Sequence, residues 1–156
     1  FEEWMMKKQG LAESVKAVRN ESNNSGLPRG PKGVGAPMDA YRHILIAAEI
    51  TRRKGEFLGK ANTIDHEVMN KYRKEQSERD WVIDSANNKI GVEIGRKAET
   101  WEDVVRMARE KIVESAEHSG DGKDGRASWY EGKVHRRGPP GPIPGQVPSA
   151  RSRRAG

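Results

Sequence analysis

Apolar residues recur at helical spacing in five stretches, and none alternates as a half-buried strand would. Residues 1–19 place Trp4, Leu11, Val15 and Val18 on one stripe, widened by Phe1 and Met5. That stripe is narrow. A lone helix of this length is marginal in water, so it needs a partner surface, in this chain or in a neighbour. Residues 20–36 have no period and are rich in Asn, Ser, Gly and Pro, which predicts a linker or an extended strap.

The next helix is predicted to start near Pro37–Asp39, with Pro in the first turn and an acid at the positive end of the dipole. Gly55 stops it, after Arg52-Arg53-Lys54. On a helical wheel Ala40, Tyr41, Ile44, Ala47, Ala48 and Thr51 share one face, with His43 at its edge and Arg42 and Glu49 roughly opposite. A second helix is expected over 56–76, its inner stripe formed by Phe57, Ala61, Ile64, Val68 and Tyr72, with His66 and Glu67 flanking it.

A third helix is expected over 80–95. There Asp84, Asn87, Asn88, Gly91 and Gly95 share a face that is polar at its start and bare at its end. Paired asparagines compete for backbone hydrogen bonds, so this helix accepts a cost in stability. The bare Gly91-x-x-x-Gly95 half permits close backbone approach. A fourth helix opens on Thr100-x-x-Asp103, a capping box with Asp in place of Glu, and buries Trp101, Val104, Val105, Ala108 and Ile112.

The expectation is an all-α fold: a small domain of about four helices over 37–117, an N-terminal helical arm (1–19), a linker (20–36) and an extended, basic, Pro-rich tail (118–156).

Composition limits what else the chain can be. It has 156 residues, 33% hydrophobic and 33% charged, enough for one small core. Cysteine is absent, which excludes disulfides and thiolate metal sites. No apolar run is long enough for a membrane span. The start, Phe1-Glu2-Glu3-Trp4, lacks the basic and apolar regions of a signal peptide, and a chain beginning with Phe fits a piece of a longer protein. Of the net charge of +6, residues 118–156 carry +5, from eight Lys/Arg against three Asp/Glu. Trp129-Tyr130 offers an anchor that can dock on the domain, and Pro139–Pro148 favours extended polyproline geometry.

The chemistry concentrates between residues 42 and 91. His43, His66, Glu67 and Asp84 form an imidazole–carboxylate set suited to general acid–base catalysis. The same types match a divalent metal site, so no cofactor is fixed, but a divalent metal fits. Arg42 is a candidate for holding an anionic substrate group, and Asn87 and Asn88 for orienting it or stabilising an oxyanion. The glycines at 30, 33 and 35 lack the Gly-Lys-Ser/Thr of a phosphate loop, and Asn70 excludes the His-Glu-x-x-His zinc motif. Against these readings stands a structural one. A histidine on an apolar edge is commonly a satisfied core residue, His-Glu on a surface arc is commonly solvated, and Asp with two Asn can pin helix packing.

The order Asp39-Ala-Tyr-Arg-His43, Gly55, His66-Glu67, Asp84-x-x-Asn87-Asn88-x-x-Gly91 resembles an uncharacterised family of small helical domains. These occur in virion proteins of tailed bacteriophages and at the C-terminal ends of bacterial polymorphic toxins. The resemblance spans about residues 34–130, with Ile83 where Met is usual. It carries Arg42, His43, His66, Glu67, Asp84, Asn87, Asn88 and Gly91 as the motif set, and it names no reaction.

The resemblance implies a virion component, structural or ejected, with a catalytic-looking site, which the joint polar set makes hydrolase-like. The alternative is a toxin or effector hydrolase acting on the cell envelope or nucleic acid. Neighbouring subunits of a larger particle are the expected partners, through residues 1–19 and 138–156. Nucleic acid is a second partner class, through Arg136, Arg137, Arg151, Arg153 and Arg154. The expected location is a virion or a bacterial cell into which the protein is delivered.

Overall fold

The computed structural model describes residues 6–29, 36–61, 78–116, 127 and 129. Within them the chain is all-α: α1 (Ala12–Asn23), α2 (Pro37–Lys54), α3 (Glu78–Lys97) and α4 (Trp101–Ala116), with further helical turns at 6–8 and 56–61. No strand occurs among the described residues, and no helix there is long and apolar enough to cross a membrane.

α2 is the axis. Every residue from Pro37 to Thr51 except Arg42 is buried, so it is enclosed on all sides and not merely along one stripe. Pro37 occupies its first turn, and Gly55, at φ 94°, ends it by donating its N–H to the Thr51 carbonyl at 2.8 Å. Glu49, expected on the outer face, is buried. Its charge is matched by a two-point clamp from Arg52, whose Nε and second guanidinium nitrogen donate to the two carboxylate oxygens at 2.5 and 3.0 Å.

α3 packs closest to α2, and its glycines are the reason. A Cβ on Gly91 would stand 2.5 Å from the Ala47 Cβ and 2.6 Å from the Ile44 carbonyl oxygen. One on Gly95 would strike the Ala48 carbonyl oxygen. Contacts therefore run in the same order along both helices, Gly91 against Ile44–Ala48 and Gly95 against Ala48–Thr51. The two helices are parallel and their N-terminal halves lie side by side. α4 closes another side with Val104, Ala108 and Ile112, all fully buried. Its capping box forms as expected: Asp103 N–H donates to Thr100 Oγ1 at 3.1 Å, and Asp103 Oδ2 accepts from Glu99 N–H at 3.1 Å and Thr100 N–H at 3.3 Å.

Expectations for the N-terminal part also need correction. The N-terminal helix is not continuous over 1–19. Gly10, at φ 78°, breaks it in a Schellman arrangement, with Leu11 N–H donating to the Met6 carbonyl at 2.9 Å and Gly10 N–H to that of Lys7 at 3.0 Å. Nor is this segment a separate arm: Met6, Leu11, Val15 and Val18 belong to the same core as α2 and α4. The supposed linker begins as helix, since α1 runs to Asn23. It continues as a packed turn in which Ser25 Oγ donates to the Ser22 carbonyl at 2.7 Å and accepts from Leu27 N–H at 3.2 Å.

Phe57, assigned to an inner stripe, is 83% exposed. Gly59 instead faces α2, against Thr51, and a residue two positions away on a helix points to roughly the opposite side. The rest of that predicted helix, 62–76, and the tail from 130 onward lie outside the described residues. Beyond α4, Ala127 and Trp129 are buried in the core, and Ala127 N–H donates to Ser115 Oγ at 2.7 Å.

Candidate functional site

Parallel packing of α2 and α3 brings the first turns of one against the first half of the other. His43 projects from the second turn of α2, one turn after Asp39, and Asp84 reaches it from α3. The His43 Nε2 lies 3.7 Å from Asp39 Oδ2 and 3.5 Å from Asp84 Oδ1. One donor atom from each of the three residues fits within 4.8 Å of the others. The side chains are only 6%, 8% and 14% exposed, so three ionisable groups cluster at a point largely withdrawn from water.

Arg42 stands at the rim. Its side chain is about one-third exposed and its guanidinium donates to Asp39 Oδ1 at 2.6 Å, leaving Oδ2 as the oxygen nearest the imidazole. Arg42 Nε is buried and makes no hydrogen bond. Asn87 is fully enclosed and Asn88 nearly so. An amide with no exposed surface acts on its neighbours, so Asn87 suits a positioning role and not direct contact with a substrate. Gly91, on the same face, holds the α2–α3 distance at which these groups meet.

Of the seven residues singled out by sequence, the structure therefore gathers His43 and Asp84, sets Arg42 at the edge, and buries Asn87 and Asn88 on the same helix face. His66 and Glu67 lie outside the described residues. Asp39 was read as a helix-start residue and as the first position of the motif, but not as a member of the site. Its spacing of four from His43 was the available signal, since side chains four apart on a helix lie over one another. Mixed imidazole and carboxylate donors of this kind can move a proton or accept a divalent ion.

A second buried polar cluster lies elsewhere. Tyr41, fully enclosed, donates to Glu21 Oε1 at 2.7 Å, and Arg109 Nε donates to the same oxygen at 2.8 Å. The cluster ties α1, α2 and α4 at one point. Burial, and then the hydrogen bond to Glu21, push the Tyr41 phenol well above its ordinary range. Sequence reading missed it because its members are 20 and 68 residues apart from Tyr41.

Comparison with known proteins adds no relative: no family model, curated protein or solved structure matches the chain.

Proposed function

We propose that this chain is a virion component of a tailed bacteriophage carrying a hydrolase-type site, with His43 as the proton-transferring group and Asp84 and Asp39 holding it. The observation that carries the reading is the meeting of His43, Asp39 and Asp84, largely buried, between two helices. Burying ionisable groups is costly unless they are matched, and sites that do chemistry are where such groups collect. Arg42, one-third exposed at the rim, supports a substrate with an anionic group, which would bind beside its contact to Asp39. The virion setting rests on the motif resemblance described above.

The alternative is a toxin or effector hydrolase delivered by a secretion system. It uses the same site and differs in carrier. The substrate classes in either case are envelope polymer and nucleic acid. Incubating the purified chain with peptidoglycan sacculi, DNA and RNA and following soluble product sorts them. Product from one class supports a hydrolase and names its substrate, whereas product from none removes the hydrolytic part of the proposal. Detecting the chain in purified particles, or finding bacterial growth arrest on its expression, separates the two carriers.

A purely structural reading has its own support in the Glu21–Tyr41–Arg109 cluster, which shows that this fold uses buried polar groups to join helices. On that reading His43 variants lose stability and no catalysis is found.

A further inference from the structure

We infer that Asp39, His43 and Asp84 bind one divalent ion of the zinc class, through Asp39 Oδ2, His43 Nε2 and Asp84 Oδ1. The inference keeps the hydrolytic reading of the same site but changes the role of His43: with an ion bound, Nε2 is a ligand, and the proton would be carried by water on the ion. It rests on that reading for the ion's role, though not for its binding.

The geometry points to a central atom. Two carboxylate oxygens from different helices approach the same imidazole nitrogen, at 3.7 and 3.5 Å. That nitrogen carries at most one hydrogen, and both separations exceed an ordinary N–H···O distance. They match a different spacing. Donors at about 2.0–2.2 Å around a tetrahedral ion stand about 3.4 Å from one another. One nitrogen and two oxygens suit zinc and manganese, and a set of three protein donors leaves a position for water or substrate, as catalytic sites do.

The surroundings fix the donors. Asp39 and His43 are one turn apart on α2, and Asp84 is held against them by the glycine contact of α3. Arg42 binds the other oxygen of Asp39, the kind of outer contact that orients a ligating carboxylate. Among the described residues, two carboxylates face one guanidinium at this point, a balance that favours a cation. The rival occupant of the same point is a proton on His43.

The test titrates the whole chain, ¹⁵N-labelled at histidine and freed of metal, with zinc chloride and separately with manganese chloride. Bound ion is counted by equilibrium dialysis, and the four histidines are followed by NMR in the zinc series. One equivalent of ion, with the His43 Nε2 resonance shifted, is expected. Asp84→Asn, which keeps the side-chain shape, should weaken binding at least about 10-fold while circular dichroism stays helical. Should Asp84→Asn unfold, the His43 shift in the unaltered chain still decides. No binding at millimolar ion, or shifts confined to His118 and His135, overturns the inference. Product release is scored in the same samples. Hydrolysis that persists in chelator without bound metal removes the ion and keeps the hydrolase, while a bound ion with no hydrolysis of any substrate does the reverse.

Discussion

His43 on α2 and Asp84 on α3 stand 3.5 Å apart, although 41 positions separate them in the chain. Their meeting depends on two parallel helices whose spacing is set two turns further along, at Gly91. Site geometry and helix packing are thus one property.

Gly91→Ala tests this coupling. The added Cβ meets the Ile44 carbonyl oxygen, a backbone atom that cannot rotate away. Overpacking of this kind costs about 1–3 kcal/mol. Loss of stability in chemical denaturation is expected. A variant as stable as the parent would mean that α2 and α3 have room to separate.

Tyr41 predicts a stability limit at high pH. Its ordinary value is 10.0, and burial raises it in the folded chain. The folded state therefore holds its proton where the unfolded state releases it. This contribution is complete below about pH 10 and is lost as pH rises through the folded value. Tyrosinate absorbance of Tyr41 should appear only together with loss of helical signal. Tyr41→Phe should remove that part of the alkaline slope and cost about 1–3 kcal/mol at neutral pH, because Glu21 and Arg109 lose a partner.

The α4 capping box gives a prediction at the acid end. Hydrogen bonding from the Glu99 N–H, then Arg106, hold the Asp103 carboxyl below its usual value of 3.8. Its contribution is present above that value and disappears as pH falls through the lowered one. Asp103→Asn should flatten this part of the acid limb. Thr100→Ala should cost about 1 kcal/mol by removing the other half of the box.

The sequence made α2 and α4 legible because period, caps and stops agreed: Pro37 and Gly55 at the ends of one, Thr100 and Asp103 at the start of the other. α1 was misread because the apolar stripe continues through Gly10, while the backbone turns there. Its extension to Asn23 runs through poor helix formers, and Glu21 is held by tertiary contacts with Tyr41 and Arg109 that local pattern cannot express. Glu49 was placed outside for the same reason, since its burial depends on Arg52. At the site, residue types pointed to His43 and Asp84 but not to Asp39, whose acidic character also suits a helix start.

The central claim is that a hydrolytic reaction depends on His43, which either transfers the proton itself or holds the ion. Its most direct test compares product release by the unaltered chain and by His43→Gln, at equal concentration and under conditions where both are folded, on whichever of peptidoglycan, DNA or RNA yields product. Loss of either role predicts a fall of at least about 10²-fold in rate, with melting temperatures that leave both proteins native at the assay temperature. Equal rates from the two folded proteins would contradict the account.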